Sequence, residues 1–381
     1  MNKKDVELIK SINTPAYVID ERLLTRNLEI LKSVQDRTGA KILLALKGFS
    51  MFSEFDLIGK YLYGVTSSSL NEAYLGREYM NKEVHIYSPA YRPEEVQTIA
   101  SICDHIVFNT PAQIKAHKEN ALSVNHKLEF GLRINPEYSE VKVKIYDPCD
   151  INSRLGSRLA LIDEEDFKLV DGLHFHTMCE QGAEVLERTL EVVEEKFGKY
   201  LYQMKWVNFG GGHHITEKGY DVEKLIKIIN RFMDKYDVEV YLEPGEAIPL
   251  NCGFLVSSVL DIIDNEKKMA ILDTSASCHM PDVIEMPYRA HIINSDVYQT
   301  HEYNYQLGGP TCLSGDIIGE YSFEKPLTIG DKLIFTDMAH YTMVKNNTFN
   351  GVNLPSIAVL NNEGIKVIKN FGYEDFKSRL S

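Results

Sequence analysis

The chain has 381 residues, of which 44% are hydrophobic and 25% are charged, as in an ordinary globular protein with one large domain or two smaller ones. Its 55 acidic residues outnumber the 41 basic residues and give a formal charge of −14, opposite to the basic surface that nucleic acids and anionic membranes attract. This composition excludes disordered, collagen-like and coiled-coil chains, and we expect neither a nucleic acid nor a membrane as a partner.

Apolar runs are short throughout the sequence. The most apolar run, Ile42 to Leu46, is closed by Lys47, whereas about 20 apolar residues are needed to span a bilayer. The charged start, from Met1 to Glu7, has no signal-peptide core, so we expect a cytoplasmic protein. The six cysteines have no C-x-x-C spacing, which argues against a zinc ribbon or a redox dithiol and predicts free thiols.

Between residues 22 and 250, short apolar runs rich in β-branched residues alternate with stretches of helical periodicity, the pattern of βα units around a parallel sheet. Two stretches, Ala183–Tyr200 and Asp221–Tyr236, carry apolar residues at the spacings of amphipathic helices. The predicted strands are Lys41–Leu46, Tyr63–Thr66, Val84–Tyr87, His105–Phe108, Glu129–Ile134, Gly172–His176, Lys205–Phe209 and Val238–Leu242. Eight parallel strands predict an α/β fold with a (β/α)8 TIM barrel over residues 22–250.

The pattern changes after residue 250. Short strand-like runs are now separated by Gly, Pro, Asn and Asp; they are Phe254–Ile262, Met269–Leu272, Lys332–Phe335 and Ser356–Leu360. The early segment Thr14–Asp20 has the same character and predicts a strand that joins this later sheet. We therefore expect a second, β-rich domain that is discontinuous and consists of residues 1–21 and 251–381.

Residues that close the predicted barrel strands are candidates for a site, because barrel enzymes build their sites at the carboxyl ends of the strands. Lys47 follows the first strand, where a partly desolvated amine becomes a nucleophile, although a solvated lysine also ends strands. His174 and His176 lie on one face of the sixth strand. They fit a hydrogen-bonded core pair, an active-site role for one histidine, or a zinc site with Cys179.

Further candidates follow the last two barrel strands. The glycines Gly210, Gly211 and Gly212 allow close approach to an anion and form either a phosphate-binding nest or a flexible turn. Glu243 begins the sequence Glu-Pro-Gly-Glu, which is either a carboxylate at the same end of the barrel or a surface turn. A lysine, a histidine, a glycine nest and a carboxylate together suit pyridoxal phosphate.

With these residues the chain resembles the fold-type III pyridoxal-phosphate decarboxylases, the family of the ornithine, arginine and diaminopimelate decarboxylases. The resemblance covers nearly the whole chain and rests on motifs in family order: Thr14-Pro15-Ala16-Tyr17, Ala45-Leu46-Lys47, Phe175-His176, Gly210-Gly211-Gly212, Glu243-Pro244-Gly245, Gly309-Pro310-Thr311-Cys312, and Tyr341-Thr342 with Thr348-Phe349-Asn350-Gly351. Three further segments resemble the branch that acts on carboxylated polyamines: Arg133-Ile134-Asn135-Pro136-Glu137, Ser153-Arg154-Leu155-Gly156 and Glu243-Pro244-Gly245-Glu246-Ala247.

The resemblance implies how the cofactor, pyridoxal 5'-phosphate, is held in the barrel. It implies that Lys47 binds the cofactor as a Schiff base and that His176 stacks on its ring. It implies that Gly210, Gly211 and Gly212 hold the phosphate. Glu243 is then the partner of the pyridine nitrogen and keeps that nitrogen protonated, so that the ring accepts the electrons released with carbon dioxide.

Three more roles follow from the resemblance alone. Arg154 is expected to reach the cofactor hydroxyl, and Tyr341 is expected near the cofactor phosphate. Cys312 matches the cysteine that these decarboxylases offer across a dimer interface, where it returns a proton as a general acid. The resemblance therefore implies a homodimer whose active sites lie at the interface, and no metal.

Two departures from the family concern the substrate. Relatives that act on ornithine or diaminopimelate carry a phosphate-binding arginine after Glu-Pro-Gly, where this chain has Glu246, and a carboxylate after Cys312, where it has Leu313. A polyamine with several ammonium groups needs carboxylates along its path, and our candidates are Glu246, Asp282 and Asp316. The resemblance thus implies decarboxylation of carboxynorspermidine or carboxyspermidine to norspermidine or spermidine. The alternatives are decarboxylation of diaminopimelate or another basic amino acid, and a catalytically silent regulatory protein.

Overall fold

The computed structural model describes residues 2–381 and divides into two compact units. The barrel unit is Arg26–Ile248, and the sheet unit combines the chain up to Thr25 with Pro249–Ser381.

The strands are β1 (Ala16–Asp20), β2 (Lys41–Ala45), β3 (Gly64–Ser67), β4 (Glu83–Tyr87), β5 (His105–Phe108), β6 (Glu129–Arg133), β7 (Gly172–His174), β8 (Trp206–Asn208), β9 (Glu239–Leu242), β10 (Gly253–Asp264), β11 (Lys268–Leu272), β12 (Asp296–Val297), β13 (Tyr303–Gly308), β14 (Ile317–Phe323), β15 (Lys332–Thr336), β16 (Ser356–Asn361) and β17 (Gly364–Lys369).

The α-helices of the described residues are α1 (Lys3–Ser11), α2 (Glu21–Thr38), α3 (Phe55–Ile58), α4 (Leu70–Leu75), α5 (Val96–Ile102), α6 (Pro111–Leu122), α7 (Ala183–Leu201), α8 (Val222–Tyr236), α9 (Ala276–His279), α10 (Asp282–Glu285) and α11 (Tyr373–Lys377). Helix α8 shows how the sequence sets their limits. The side chain of Asp221 accepts the N–H of Lys224 at 2.9 Å and caps its start, and Asp237 ends it in the left-handed conformation. Among residues 2–381, no helix has both the length and the hydropathy that crossing a bilayer requires.

Strands β2 to β9 close into a barrel of eight parallel strands, which confirms the predicted (β/α)8 architecture. Several strands are shorter than predicted, since β2 ends at Ala45, β7 at His174 and β8 at Asn208. His176, which was predicted to end a strand, therefore lies in the loop past β7, and Lys47 and Gly210 lie in the loops past β2 and β8. We call the end of the barrel that carries these loops the mouth.

The single tryptophan of the chain, Trp206, fills the barrel interior and is 1% exposed. Two glycines on neighbouring strands make room for its ring. A Cβ atom on Gly172 would lie 2.1 Å from the indole, and one on Gly131 would lie 2.5 Å from it, so neither position accepts a side chain. This packing fills the interior of the barrel. Space for a functional site therefore remains only at the mouth, as in other barrels of this kind.

In the sheet unit, the strands follow the order β12-β14-β13-β11-β10-β1-β16-β17, and β15 pairs with β10. Strand β1 lies inside this sheet, antiparallel to β10 and parallel to β16. The prediction that the early segment joins the later sheet is therefore confirmed. The buried core of the unit is apolar and includes Tyr17, Leu255 and Phe335, each fully buried.

Candidate active site at the barrel mouth

A pocket opens at the barrel mouth, lined by Ala45, Lys47, Thr66, Ser67, Ser68, Tyr87, Arg133, His174, His176 and Glu243. Three of the predicted site residues, Lys47, His176 and Glu243, meet here although they are far apart in the sequence. Each follows a different strand of the barrel, and parallel strands bring their carboxyl ends to one edge.

Lys47 lines this pocket, and although the residue as a whole is exposed, its amine lies near the charged groups of the pocket. Desolvation by the surrounding walls, with the positive charge of Arg133, lowers the pKa of the amine, and the Glu243 carboxylate only partly opposes this. A lowered pKa leaves more of the amine neutral at a given pH, and a neutral amine is the form that attacks a carbonyl carbon. The environment of Lys47 therefore suits a nucleophile.

Glu243 is 8% exposed, and both of its oxygens are hydrogen-bonded. It accepts from Nε2–H of His174 at 3.1 Å and from Nδ2–H of Asn208 at 2.7 Å. Burial alone raises the pKa of the carboxyl group, but the His174 imidazole and these hydrogen bonds outweigh burial and lower it. The pKa of His174 is itself lowered by burial. The pair is thus a buried carboxylate and a buried imidazole that are fixed by their mutual hydrogen bond.

His176 is oriented by the glycine segment. The N–H of Gly211 donates to its Nδ1 at 2.8 Å, which leaves the proton of the neutral ring on Nε2, and burial holds the pKa of His176 well below its usual value. The N–H of Gly210 donates to Asn208 Oδ1 at 2.9 Å. Two of the three glycine N–H groups are therefore already bonded within the protein, in contrast to the open nest that the sequence suggested.

The glycine segment is also closely packed. Gly212 has a φ of +84°, and a Cβ atom there would lie 2.0 Å from the carbonyl oxygen of Met178. Only glycine fits this position. The alternative of a flexible turn does not describe such a segment, because backbone contacts hold it on both sides.

Arg133 occupies the pocket and was not predicted as a site residue. It is 5% exposed, donates from Nη2 to the carbonyl oxygen of His176 at 3.3 Å, and lies 4.5 Å from the ring centre of Tyr87. Arg154, which was expected to reach the cofactor hydroxyl, is exposed and outside the pocket lining. The signal for Arg133 was its place near the end of the fifth predicted strand.

Glu246 lies past β9 and pairs with a histidine of the glycine loop. Its Oε1 is 3.2 Å from Nε2 of His214. Burial lowers the pKa of His214, but the hydrogen bond and charge of Glu246 raise it overall. The candidate substrate carboxylate thus has a partly buried histidine partner that the sequence did not suggest.

A zinc site at His174, His176 and Cys179 does not fit this geometry. Each imidazole already has a protein partner, and burial, together with Glu180 and Glu246, raises the pKa of the Cys179 thiol to about 11, away from the thiolate that zinc binds. Elsewhere in the described residues, Glu83, His85 and His105 lie close together. The two imidazole rings stack at 3.9 Å with planes 14° apart, so their in-plane lone pairs do not converge on one ion.

The remaining predicted residues lie in the sheet unit. Asp316 is 3% exposed, and its carboxylate accepts from Ser275 Oγ at 2.9 Å, Thr311 Oγ1 at 2.7 Å and the Ser277 N–H at 3.2 Å. It was expected to bind a substrate ammonium group, but it is buried and already has three hydrogen-bond donors. Cys312 is exposed.

Asp282 and Tyr341 belong to the same unit. Asp282 is half-buried, and its carboxylate lies 2.5 Å from Nζ of Lys345, which also pairs with Glu285. Tyr341 is half-buried, has a φ of 51°, and its ring lies edge-on to that of His340 at 6.0 Å. Asp282 therefore resembles Glu246 in having a basic side chain as its partner within the folded chain.

Comparison with known proteins gives relatives along the full length of the chain. It is 50% identical to the carboxynorspermidine/carboxyspermidine decarboxylase of Campylobacter jejuni, over 97% of this chain and 99% of that protein. It is 43% identical to the carboxyaminopropylagmatine decarboxylase of Synechocystis, over 98% of this chain and 96% of that protein. The crystal structure of the Campylobacter jejuni carboxynorspermidine decarboxylase complexed with norspermidine matches with a TM-score of 0.90 and 48% identity, over 97% of this chain and 100% of that chain.

A sequence model of a protein family matches residues in both units of the chain. The model, described as pyridoxal-dependent decarboxylase, C-terminal sheet domain, matches residues 16–339. This agrees with the resemblance drawn from the motifs and with the fold of a parallel barrel and a mixed sheet. The chain belongs to the pyridoxal-dependent decarboxylases.

Proposed function

We propose that this protein removes the amino-acid carboxyl group of carboxynorspermidine or carboxyspermidine, giving carbon dioxide and norspermidine or spermidine, as a step of polyamine biosynthesis. The observation that carries the proposal is the meeting of the Lys47 amine and the fixed Glu243 carboxylate in one pocket, in a chain 50% identical to a relative named for these two substrates.

The pocket residues fit pyridoxal 5'-phosphate. Lys47 has the lowered pKa that lets an amine bond covalently to an aldehyde, and the half-buried His176 offers a ring fixed by the Gly211 N–H. The N–H groups of Gly210 and Gly211 are already bonded within the protein, so we assign the phosphate to the backbone amide groups from Gly212 onward. When bound, the cofactor supplies a ring that takes up the electron pair left behind by carbon dioxide.

The charged side chains of the pocket would then act on the bound cofactor through their charge and their position. Glu243 is held as a carboxylate by Asn208 and His174, so it would accept a hydrogen bond from a protonated ring nitrogen placed against it and stabilise that proton. Arg133, buried beside His176, is our candidate for the cofactor hydroxyl in place of Arg154. Its positive charge also lowers the pKa of the Lys47 amine.

Proton return to the substrate carbon is assigned to Cys312. The thiol is exposed, and the family resemblance supports a homodimer in which Cys312 of the partner subunit serves as the general acid. Tyr341 is assigned to the phosphate on the same grounds. The assignment of Cys312 places part of each active site on a second copy of the chain.

The substrate is recognised by its ammonium groups in this proposal. Glu246 replaces the arginine that ornithine and diaminopimelate decarboxylases carry, and Leu313, which is 44% exposed, replaces their carboxylate. The loss of the carboxylate removes a contact for a short amino acid, and the added carboxylate of Glu246 favours a substrate with further positive charges. Glu246 and Asp282 are our candidates for the ammonium groups, since a substrate nitrogen can replace their present partner nitrogens on His214 and Lys345.

Carbon dioxide release tests the proposal directly. Purified protein with pyridoxal phosphate is given carboxynorspermidine, carboxyspermidine, carboxyaminopropylagmatine, meso-diaminopimelate, ornithine and arginine in separate reactions. We expect fast release from carboxynorspermidine or carboxyspermidine. Release confined to diaminopimelate or ornithine would overturn the substrate assignment and keep the chemistry. No release from any compound, together with no cofactor absorption band, would favour the silent regulatory protein.

A further inference from the structure

The loop that carries Cys312 is fastened at its base to a buried carboxylate. The hydroxyl of Thr311 donates to Asp316 at 2.7 Å, and the N–H of Gly309 donates to the Asp316 carbonyl oxygen at 2.9 Å. A Cβ atom on Gly309 would lie 2.3 Å from the Asp316 carboxylate, so the loop and the carboxylate are in close contact. Asp316 thus holds the loop and is not available to a substrate.

The same carboxylate joins the loop to helix α9. Asp316 accepts from the hydroxyl of Ser275 at 2.9 Å and from the N–H of Ser277 at 3.2 Å. The carbonyl oxygen of Ser277 in turn accepts from Nδ2–H of Asn347 at 2.8 Å. Three segments far apart in the sequence are therefore tied into one cluster, around residues 275–279, 309–316 and 347–351.

Cys312 itself is held by the third segment. Its main-chain N–H donates to Oδ1 of Asn350 at 2.7 Å. Asn350 has φ 55° and ψ 14°, a left-handed conformation that asparagine tolerates better than most residues. The conformation and the hydrogen bond thus both favour asparagine at this position.

We infer that Asn350 is a positioning residue for Cys312, and that the Asp316 cluster fixes the loop on which Cys312 lies. The inference rests on the proposed role of Cys312 as the proton donor. It also gives a function to the Thr348-Phe349-Asn350-Gly351 motif, for which the sequence suggested no role. An exposed thiol on a loop delivers a proton efficiently only when its backbone has one position.

Two substitutions separate the hydrogen bond from the backbone conformation. Asn350→Gly keeps the left-handed backbone without strain and removes the acceptor. Asn350→Asp keeps an acceptor oxygen at the same distance along the side chain. Asn294→Gly is the matched control, because Asn294 is exposed and left-handed, with φ 61°.

The measurements are kcat, KM and the dissociation constant for pyridoxal phosphate. We expect Asn350→Gly to lower kcat about tenfold, with KM and cofactor affinity near wild type, and Asn350→Asp to recover most of kcat. In the Cys312→Ala background, Asn350→Gly should cause no further loss, because the residue it positions is gone. An equal loss in both backgrounds would show an independent role and overturn the inference.

Failure of the inference and failure of the proposed function have different signatures. If Cys312→Ala keeps the wild-type kcat, the role of Cys312 is wrong. If Cys312→Ala slows the reaction and Asn350→Gly does not, only the inference is wrong.

A second experiment does not depend on enzyme activity: Cys312 is alkylated with iodoacetamide, and the modified peptide is measured by mass spectrometry. We expect faster alkylation in Asn350→Gly than in wild type or Asn294→Gly, because the freed loop moves more, and an unchanged rate would refute the restraint.

Discussion

Gly212→Ala is the sharpest test of the phosphate cradle. The added Cβ would lie 2.0 Å from the carbonyl oxygen of Met178 and 2.2 Å from its carbon. Both are backbone atoms, so no side-chain rotation relieves the contact and the glycine loop must move. The left-handed conformation adds a cost of about 1–2 kcal/mol for any residue with a Cβ.

Gly219→Ala is the matched control for that cost. Gly219 has a φ of +93°, and no atom of the described residues lies within 4 Å of the place that a Cβ atom would take there. This substitution therefore carries only the backbone cost of about 1–2 kcal/mol, and each kcal/mol corresponds to a fall in Tm of about 2–4 °C for a unit of this size. Gly212→Ala should lower Tm further, since it adds the contact with Met178.

The affinity for the cofactor should distinguish Gly212→Ala from Gly219→Ala more clearly than Tm does. Loss of one amide hydrogen bond to a charged phosphate costs about 1.5–3 kcal/mol, which corresponds to a roughly 10- to 100-fold weaker dissociation constant. The assay is titration of the apoprotein with pyridoxal phosphate and with pyridoxal, which lacks the phosphate. We expect Gly212→Ala to weaken binding of the phosphate form selectively. Equal Tm and equal affinity in both variants would refute the cradle.

Four further predictions concern single side chains. Lys47→Ala should abolish the borohydride-trapped cofactor adduct seen by mass spectrometry, and an unchanged adduct would identify another lysine. Cys312→Ala should retain the cofactor absorption band and slow product formation about 100-fold or more, so wild-type turnover would contradict its role. Glu246→Gln should weaken norspermidine binding more than cofactor binding, and the reverse order would place Glu246 at the cofactor. Lys345→Met should tighten norspermidine binding about two- to fivefold by freeing Asp282, whereas unchanged binding with a lower Tm would leave that ion pair a structural role.

The barrel was predictable because its signal is local and repeated. Each parallel strand is a short apolar run, and each helix that follows has an amphipathic period, so the count of units was correct although β2, β7 and β8 end earlier than predicted. The entry of β1 into the later sheet was also predictable from its apolar, β-branched character. Strand order in that sheet was not, because pairing between β11 and β13 in parallel depends on contacts that no local pattern encodes.

The site was predictable where position along a strand determines it. Lys47, His176 and Glu243 each follow a strand, and a barrel brings such residues together whatever their neighbours are. Residues that act through hydrogen bonds between loops were missed, as with Asn208, whose amide group joins Glu243 to Gly210. For the same reason, the sequence could not distinguish a carboxylate open to substrate from one already bonded within the protein.

Carboxylates that bind a substrate cation must also be tolerated in the folded protein when the substrate is absent. A buried carboxylate with no partner destabilises a folded chain by several kcal/mol, so a site of unpaired acids would weaken the protein before any substrate arrives. Here Glu246 pairs with His214 at 3.2 Å, and Asp282 pairs with Lys345 at 2.5 Å. All four side chains are between 18% and 31% exposed, so water can reach both pairs and each attraction is correspondingly modest. We expect a substrate ammonium group that binds either carboxylate to displace its present partner, so that binding exchanges one modest attraction for another.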